Sequence, residues 1–461
     1  MKTAIVHYHA RPGGVTRVVE RAVDSLGNRT HCLFFTGEAA RAETPLQKKI
    51  RVVPNLGYST DEKFQPLELL KRARGAFGGE PDLWHIHNHS LGKNPALTQE
   101  VITLAMSGKK ILLQIHDFAE DGRPDNYRNL NKLKNRLYPV APHIHYAVLN
   151  NRDFNFLKTA GIPEETLHLL PNAVSPVPAI QSLKPKAQSL FVYPCRAIRR
   201  KNIGELLLWS ALMPDAKFAV TLAPKNPDVK PIYDAWVAFA KELELNVEFN
   251  AGAKTSFEEM VAQADALITT SIAEGFGLAF LEPWLAGKPL TGRNLPEITG
   301  DFAAHGLDLS ALYSRLPIPL VSNHWKIDNE FFQTLENKLR AAYEAYGREW
   351  NDVIFEEAKA ALVQGGCVDF GILDEEMQRT IIRAVKNDPS LIDLKLGDSS
   401  ASVASNQTVT ETAYGSKAYG DQLFGIYEQL LKTKAGSVTY ADSEKLLDKF
   451  LQPQRFNLLR T

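Results

Sequence analysis

Two glutamates flank a glycine turn in the stretch SIAEGFGLAFLEPWLAGKP, which spans residues 271–289. Glu274 precedes the Gly-Phe-Gly turn, and Glu282 stands directly before Pro283. Proline is tolerated in the first turn of a helix, where its missing N–H is not needed, so we expect Glu282 to lie near a helix start. A carboxylate can accept hydrogen bonds from two vicinal hydroxyls, and the turn amides can approach a sugar or a phosphate. The stretch therefore predicts two hydroxyl-binding carboxylates.

Other interpretations of the two glutamates stay open. Without a ligand, Glu282 would merely complement the positive end of a helix dipole and Glu274 would be solvated. The two carboxylates could also act as a general acid and a general base. We favour two separate hydroxyl receptors, because Pro283 confines Glu282 to the first helical turn.

A basic segment lies in VYPCRAIRRKNIGELLLW, residues 192–209, which begins inside a predicted strand. Its four cations fall in the loop between that strand and the next helix, namely Arg196, Arg199, Arg200 and Lys201. Parallel α/β sheets bind ligands at the carboxyl ends of their strands, where Arg196 and Lys201 could together balance a diphosphate. The alternative is a solvated basic loop without a ligand.

Gly13-Gly14 precedes the first predicted helix in VHYHARPGGVTRVVERAV. Glycines let a backbone approach a ligand closely, and the free amides of a helix start favour a phosphate. The spacing is not GxGxxG, which argues against a dinucleotide cofactor. A plain strand-to-helix turn is the alternative.

His116-Asp117 follows the apolar run ILLQI, so both residues are predicted at the carboxyl end of a buried strand. Asp121 and Arg123 follow in the same loop. This position favours an active-site loop over a purely structural turn.

Three further histidines, His85, His87 and His89, alternate in LWHIHNHS. Three imidazoles on one face of a strand would suggest a metal site. However, the expected passage from strand to loop near Asn88 breaks that face, and no HExxH motif or acidic cluster joins it. We therefore predict hydrogen-bonding histidines and no metal site.

The elements that would position these residues alternate between apolar strand-like runs and helical patterns, which predicts parallel sheets covered by helices. The alternation pauses at VSPVPAIQSLKPKAQ, residues 174–188, whose prolines indicate an extended connector, and then resumes. The sequence thus predicts an α/β protein of two Rossmann-like halves with a binding crevice between them.

The expected domain limits follow from these patterns. We expect a first domain at 1–178 and a second at 188–395, the latter with a helical extension at 328–388. Residues 396–414 are rich in Ser and Thr and predict a loop or linker. Residues 415–461 predict a helical tail, whose amphipathic helix at about 416–432 could pack back on the first domain.

Composition narrows the function classes. The 461 residues carry 53 basic and 53 acidic side chains, so the overall basic excess typical of nucleic-acid-binding proteins is missing. The three cysteines, Cys32, Cys195 and Cys367, form no CxxC pair, which favours a reducing cytoplasm over a disulfide framework. No stretch approaches the roughly 18 uninterrupted apolar residues of a membrane-spanning helix. A peripheral membrane contact stays open.

Taken in order, these motifs resemble those of the retaining glycosyltransferases of family 4, which have the GT-B fold of two facing Rossmann-like, doubly wound domains with a deep cleft between them. Glu274 and Glu282 match the two acids of that family's E-x7-E motif. The order and spacing of the pieces make the set specific. The other matching pieces are Gly13-Gly14-Val15, His116-Asp117, LLPNAV at 169–174, RAIRRKN at 196–202 and LPEI at 295–298.

The resemblance implies a hexosyltransferase that uses a nucleotide-diphosphate sugar and needs no metal or other cofactor. It implies that Glu274 contacts the donor hexose and that Glu282 binds the nucleotide ribose. Arg196 and Lys201 would neutralise the leaving diphosphate, and His116 would line the reaction centre. The implied catalytic residues are therefore His116, Glu274, Arg196 and Lys201. The donor would also meet the backbone at Gly13, Gly14, Gly275, Phe276, Gly277 and Leu278.

The chain departs from the family pattern in two places. Residues 292–295 lack the usual glycine-rich turn, and residues 328–388 and the terminal LLDKFLQPQRFNLLR match no part of the pattern. The donor and the oligomeric state, including a homo-oligomer, therefore stay open. Two other functions also stay open: a glycoside phosphorylase of the same fold, and a catalytically silent module that binds a sugar nucleotide or a glycan.

The acceptor, a small molecule or a glycan, is expected at the cleft edge of the first domain. The polarity of the loops there favours a polar or anionic molecule. No apolar amphipathic helix rich in Lys and Arg is evident, so we expect a soluble acceptor rather than a lipid. The candidate acceptor residues are Asn88, His89, Lys93, Asp117, Asp121 and Arg123.

Overall fold

The computed structural model describes residues 1–40, 43–61, 67–176 and 188–460. It divides into two compact units, the first formed by Met1–Ala173 with Tyr414–Gln452, and the second by Val174–Ala413 with the residues from Pro453 onward. Most of the connector expected at 174–188, including the expected first-domain limit at residue 178, lies outside the described residues.

The regular elements alternate along most of the chain. The strands are β1 (Lys2–Val6), β2 (His31–Thr36), β3 (Ile50–Val52), β4 (Leu83–His87), β5 (Ile111–Gln114), β6 (Pro139–Val140), β7 (Ile144–Val148), β8 (Leu167–Leu169), β9 (Leu190–Arg196), β10 (Lys217–Leu222), β11 (Val247–Glu248), β12 (Ala266–Thr269), β13 (Leu290–Gly292), β14 (Pro317–Pro319), β15 (Val363–Gln364), β16 (Cys367–Asp369) and β17 (Thr439–Tyr440). The α-helices are α1 (Gly14–Leu26), α2 (Leu69–Phe77), α3 (Pro95–Met106), α4 (Pro124–Arg128), α5 (Asn151–Ala160), α6 (Ile203–Leu212), α7 (Lys230–Glu242), α8 (Phe257–Gln263), α9 (Glu282–Leu285), α10 (Pro296–Ala304), α11 (Asp328–Ala345), α12 (Asp352–Leu362), α13 (Glu375–Asn387), α14 (Val403–Tyr414), α15 (Ser416–Lys432) and α16 (Ser443–Phe450).

The first unit is built on a seven-stranded parallel sheet in the order β3-β2-β1-β4-β5-β7-β8. Its central strands β4, β5 and β7 are buried along their whole length, as is usual for parallel strands covered on both faces. The strand order reverses between β1 and β4. In open parallel sheets such a switch point is where ligands bind, at the carboxyl ends of the strands.

Helix α15 belongs to the first unit although it follows the second unit in sequence. Its residues Leu423, Ile426 and Leu430 join the apolar core that α1 and the sheet form. Tyr427 reaches the sheet, where its hydroxyl lies 2.7 Å from Nδ1 of His85. Burying an apolar side chain of this size stabilises a fold by about 2 kcal/mol, so these contacts hold a sequence-distant helix in place.

The second unit repeats the plan with a five-stranded parallel sheet in the order β11-β10-β9-β12-β13. Its core contains Trp209, Phe218 and Ile268 among many apolar side chains. The switch point lies between β9 and β12. The predicted α/β architecture of two Rossmann-like domains is therefore confirmed.

The extension expected to be helical at 328–388 contains the helices α11, α12 and α13, but also a β-hairpin. β15 and β16 pair antiparallel, and β14 pairs with β16 on the other side. The hairpin turns at Gly365-Gly366, both with positive φ, at 57° and 75°. Such a two-residue turn favours a Gly-Gly pair, which is the sequence signal that the helical prediction overlooked.

The prediction of a loop or linker at 396–414 is wrong for its second half, because residues 403–414 form the helix α14. Polar tertiary contacts compensate for its low apolar content. Asn406 is fully buried, donates from Nδ2 to the carbonyl of Asp308 and accepts from the Asp308 N–H, both at 2.8 Å. Thr410, one helical turn further, is also fully buried. A buried side chain that satisfies a loop backbone in this way orders a segment that composition alone marks as loop.

The tail expected at 415–461 is divided between the units. α15, β17 and α16 lie in the first unit, and β17 pairs with β6 there. Beyond Pro453 the chain lies in the second unit, where Asn457 donates from Nδ2 to the carbonyl of Gly371 at 2.9 Å. Among the helices of the described residues, none has the length and apolarity needed to cross a membrane.

Candidate functional site

Lys201 and Glu274 meet at the switch point of the second unit. Lys201 ends a short 3-10 turn that follows β9, and Glu274 lies in the loop after β12. Because β9 and β12 are adjacent and parallel, the loops that follow them lie at one edge of the sheet. The ammonium of Lys201 donates to Oε1 of Glu274, and only 14% and 10% of the two side chains are exposed. The sequence placed both residues at strand ends, and the structure joins them.

The charge of Glu274 is set by its neighbours. Burial alone would raise the pKa of this carboxyl. The ammonium of Lys201 and the guanidinium of Arg200, whose Nη1 lies 3.5 Å from Oε2, outweigh burial and hold the pKa below its ordinary value. Glu274 is therefore an ionised hydrogen-bond acceptor at neutral pH.

The basic segment separates into residues with different partners. Arg199 makes a bidentate ion pair with Glu375, with N···O distances of 2.6 and 2.9 Å, which ties the loop to the start of α13. Arg196 donates from Nη1 to the carbonyl of Ala223 at 2.9 Å, and none of the carboxylates in the described part of the chain pairs with it. Arg196 and Lys201 thus remain the candidates for an anionic ligand, whereas Arg199 has a structural role.

In the turn after Glu274, the fold itself requires glycine at one position. Gly277 has φ of 93°, and a Cβ there would lie 2.9 Å from the ring of Phe280. Phe276 is 5% exposed and packs edge-on against Phe302 with ring centroids 5.5 Å apart. Its side chain therefore belongs to the core, and it can offer a ligand only its backbone.

Glu282 is the first residue of α9, and Pro283 lies in the first turn of that helix, as the sequence predicted. The 3-10 helix Leu278–Phe280 separates α9 from the glycine turn. Glu274 and Glu282 therefore stand on different elements around the turn.

Sequence reasoning missed a buried ion cluster around Arg293, directly after β13. Its guanidinium contacts Glu205 through Nε at 2.9 Å and Asp369 through Nη1 at 2.7 Å. Tyr313 also donates to Glu205, at 2.8 Å. One guanidinium thus contacts two buried carboxylates, which ties the loop after β13 to α6. The available signal was Glu205 itself, a lone acid inside the apolar helix IGELLLWSAL.

In the first unit, Gly13 and Gly14 precede and begin α1. Gly13 has an extended backbone that any residue can adopt, and a Cβ on Gly14 would meet nothing within 4 Å. The fold itself therefore requires glycine at neither position. Neither glycine adds a side chain beside the amides at the start of α1, and this geometry fits both the phosphate interpretation and a plain strand-to-helix turn.

His116 is fixed at the end of β5 by its neighbours. Its backbone N–H donates to Oδ1 of Asn88 at 2.7 Å, and its Nε2 lies 2.9 Å from Nδ1 of His87. Burial lowers the pKa of His116 to about 3, so the ring is neutral near pH 7. His116 can therefore donate or accept a hydrogen bond there but is a poor proton acceptor.

Two of the predicted acceptor residues do not line the sheet edge. Asn88 is 2% exposed and spends its Oδ1 on the amides of the His116 loop, so it positions that loop. His89 is fully buried, with Nε2 2.9 Å from the carbonyl of Leu137. The strand ends at His87 as predicted, but Asn88 adopts a positive φ of 54° and turns the next residues inward.

The other acceptor candidates are partly exposed. Arg123 donates to Asp117 at 2.6 Å and to the carbonyl of Phe118 at 2.9 Å, so its guanidinium also braces the loop. Asp121 lies between them in the same loop, and its carbonyl accepts from Arg123 at 3.1 Å. Lys93 makes no ion pair with a described carboxylate; its ammonium lies 5.6 Å from the ring centroid of Tyr58.

Residues of the loops after β1 and β4 form a cationic cluster around Tyr58, of which the sequence analysis named Lys93 but not His9 or Arg11. Nε2 of His9 lies 3.0 Å from the Tyr58 hydroxyl, and the guanidinium of Arg11 lies 6.0 Å from the ring centroid. Lys93 approaches the same ring, while Arg11 is partly neutralised by Glu38. Positive charge therefore gathers at the switch point of the first unit.

The three alternating histidines, His85, His87 and His89, each make a hydrogen bond through a ring nitrogen. His85 links Tyr427 to Gln114, whose Oε1 lies 2.9 Å from Nε2 of His85. Within the described ranges, no group of three or more His, Cys, Asp or Glu residues is arranged to hold a metal ion.

Sequence similarity to a known protein extends along nearly the whole chain. A mannosylglucosyl-3-phosphoglycerate synthase of Petrotoga mobilis is 29% identical over 469 aligned positions, which cover 92% of this chain and 91% of that protein. No protein-family model matches the sequence.

Three solved structures share the fold at low sequence identity. HepE of Anabaena, solved with UDP, has a TM-score of 0.53 at 15% identity and covers 93% of this chain and 100% of its own. Sucrose-phosphate synthase of Thermosynechococcus elongatus has a TM-score of 0.53 at 13% identity, with coverages of 93% and 98%. A glycosyltransferase of Rickettsia africae has a TM-score of 0.50 at 14% identity, with coverages of 94% and 98%.

The two Rossmann-like units, the charged groups at their switch points and a relative that spans almost the entire chain agree with one another. They identify this chain as a glycosyltransferase of the GT-B fold.

Proposed function

We propose that the protein is a retaining glycosyltransferase of the family 4 type, which moves a hexose from a nucleotide-diphosphate sugar to a hydroxyl of a polar acceptor. The Lys201–Glu274 ion pair at the switch point of the second unit carries this proposal. A cation and an ionised carboxylate side by side suit a ligand that joins a diphosphate to a hydroxylated ring. The solved structures of HepE with UDP and with UDP-glucose support a nucleotide sugar as the ligand class.

In the proposed reaction, the acceptor oxygen bonds to the anomeric carbon while the bond to the diphosphate oxygen breaks on the same face. The acceptor proton leaves with the diphosphate. Lys201 and Arg196 stabilise the charge that develops on the leaving group, an electrostatic contribution that needs no metal ion. Glu274 and the amides that follow it hold the hexose, and Glu282 holds the ribose.

We propose that the acceptor carries an anionic group. The name of the Petrotoga mobilis relative describes a product that contains 3-phosphoglycerate. The cationic cluster around Tyr58, with Arg11 and Lys93, supports a negatively charged acceptor at the first unit. The unpaired state of Cys32, Cys195 and Cys367 suits a reducing compartment, and we propose a cytoplasmic location.

A thermal-shift panel tests the donor. UDP, GDP and ADP, each free and as a sugar conjugate, are added to the wild type and to Lys201→Ala. Ligands that bind the native state raise the unfolding midpoint by an amount that grows with their affinity, so one nucleotide series should stabilise the wild type clearly more than the variant. The absence of any nucleotide-dependent shift in the wild type would contradict the proposal.

The same panel separates the two alternative functions when it is combined with turnover. A phosphorylase would respond to inorganic phosphate with sugar phosphate formation and would not need a nucleotide. A silent module would bind a nucleotide sugar without releasing nucleotide diphosphate. Binding together with acceptor-dependent release of the nucleotide diphosphate supports the transferase.

A further inference from the structure

His87 and His116 share a buried hydrogen bond. Nδ1 of His87 and Nε2 of His116 are 2.9 Å apart, and the two rings are almost parallel, with an interplanar angle of 15°. His87 is 0% exposed and His116 is 7% exposed. His87 ends β4, and His116 follows β5, the adjacent parallel strand. Both residues therefore lie at the same edge of the sheet.

The tautomers of these two rings are coupled. A hydrogen bond between neutral imidazoles uses one proton and one lone pair. Burial lowers the pKa of His87 well below its ordinary value and that of His116 to about 3, so both rings are neutral near pH 7. Each ring then has a single N–H. If Nδ1 of His87 donates, Nε2 of His116 is bare and the proton of His116 sits on Nδ1.

The surroundings of His87 favour this arrangement. Nε2 of His87 is buried and has no hydrogen-bond partner among the described residues. Buried N–H groups without an acceptor are rarer in folded proteins than buried acceptors without a donor. The isolated Nε2 is therefore better left bare, which places the proton of His87 on Nδ1, where it faces His116.

Groups other than His87 hold the backbone of His116. His87 can therefore control only the tautomer of the His116 ring. Oδ1 of Asn88 accepts from the His116 amide at 2.7 Å, and the carbonyl of Asn88 accepts from the Tyr8 hydroxyl at 2.7 Å. Within the part of the chain that the structure describes, the ring of His116 has its hydrogen bond through Nε2, and no protein hydrogen bond engages its Nδ1.

We propose that His87 is a positioning residue that holds His116 in the Nδ1–H form, so that His116 donates a hydrogen bond to an oxygen of a substrate bound at this edge of the first-unit sheet. This inference rests on the proposed function and on the role that the family resemblance implies for His116, which is to line the reaction centre. A neutral donor holds an oxygen without taking a proton, which suits a step in which the acceptor proton leaves with the diphosphate.

The protonation form can be read directly by nuclear magnetic resonance. The full-length protein is labelled with ¹⁵N-histidine, long-range ¹⁵N–¹H correlations report which ring nitrogen is protonated, and His116→Asn identifies the His116 signals by their loss. We expect Nδ1–H in the wild type. His87→Leu should shift His116 towards Nε2–H, whereas His87→Asn, whose amide can donate from a similar place, should keep Nδ1–H. A wild-type His116 protonated on Nε2 would overturn the proposal even if both variants failed to fold.

Kinetics give the second readout. His87→Leu should lower kcat by about 10-fold to 100-fold, because the hydrogen-bond donor on His116 would be misoriented. The KM for the nucleotide sugar should change little. His87→Asn should recover most of kcat. Equal losses in the two variants would overturn the proposal. If no donor supports turnover, the proposed function fails, but the magnetic resonance result still decides the role of His87.

Discussion

Lys201 and Glu274 neutralise each other at the carboxyl ends of neighbouring strands, with the ammonium of Lys201 donating to Oε1 of Glu274. Both side chains are largely withdrawn from water, so a ligand that reaches them meets groups that are already mostly desolvated. The pair explains how one short loop and one glycine turn can present a cation and an ionised carboxylate together.

Glu274→Ala and Glu282→Ala should behave differently. We expect Glu274→Ala to abolish transfer while nucleotide binding survives, because Glu274 is proposed to contact the sugar. Glu282→Ala should instead weaken binding of the free nucleotide, because Glu282 is proposed to contact the ribose. Transfer rates and thermal shifts with free nucleotide measure the two effects, and Glu336→Ala, which removes an exposed helix pair, serves as the control. Identical behaviour of the two active-site variants would refute the division of roles.

Lys201→Met should change how stability depends on pH. In the wild type the pKa of Glu274 is lowered despite burial, because Lys201 and Arg200 outweigh it, so the stability that this carboxylate contributes is present above pH 4.5 and is lost as pH falls. In the variant, burial is opposed only by Arg200 and by the Ser271 hydrogen bond, so the carboxyl costs stability when it ionises.

The free energy of unfolding from urea titrations measures this difference. The gap between wild type and Lys201→Met should widen from about pH 4 to pH 7, reaching about 2 kcal/mol, the order of an unsatisfied buried polar group. A gap that stays constant with pH would mean that the ion pair does not govern the ionisation of Glu274.

Arg293→Met should destabilise the second unit strongly. The substitution leaves the buried carboxylates of Glu205 and Asp369 without their cation, which typically costs about 3–5 kcal/mol. Arg340→Met removes an exposed pair with Glu336 and should cost about 0.5 kcal/mol or less. Urea unfolding of the two variants gives the comparison. Similar losses in both would show that the Arg293 cluster contributes little to stability.

Glu120→Gln should raise stability at neutral pH relative to acidic pH. Burial raises the pKa of Glu120 from 4.5 to about 7, with Oε1 accepting from the Tyr138 hydroxyl. The unfolded chain therefore loses this proton before the folded protein does, and the stability that the protonated form contributes is full below pH 4.5 and is lost as pH rises to about 7.

Glutamine cannot ionise, so Glu120→Gln removes this loss. Relative to the wild type, the variant should gain roughly 3 kcal/mol between pH 4.5 and pH 7, because 2.5 pKa units correspond to about that free energy. Unfolding midpoints measured across this range give the result. Parallel pH profiles for both proteins would contradict a protonated Glu120.

The sequence was sufficient to predict the parallel sheets and the positions of Lys201 and Glu274 after strand ends, for a physical reason. Buried parallel strands are continuous apolar runs, and residues that follow such runs must lie at the carboxyl edge of a sheet. Lys201 and Glu274 could therefore be placed at strand ends without knowing that β9 and β12 are neighbours. Their direct contact depends on that strand order, which the sequence does not state.

Features that depend on distant pairing were not predicted. Arg293 finds Glu205 and Asp369 at sequence separations of 88 and 76, so no local pattern reveals the cluster. The burial of His89 depends on one positive φ at Asn88, and the helix α14 depends on contacts between Asn406 and a distant loop. In each case tertiary contacts override the local composition.

The configuration of the product tests most directly whether the protein is a retaining glycosyltransferase. The wild type is incubated with the nucleotide sugar that the thermal-shift panel selects and with anionic hydroxyl acceptors, and the anomeric signal of the product is followed by proton magnetic resonance. For retaining transfer we expect a glycoside with the anomeric configuration of the sugar donor, formed together with an equal amount of nucleotide diphosphate. Glu274→Ala should form no glycoside. A product of inverted configuration, or sugar release that requires inorganic phosphate and no nucleotide, would contradict this expectation.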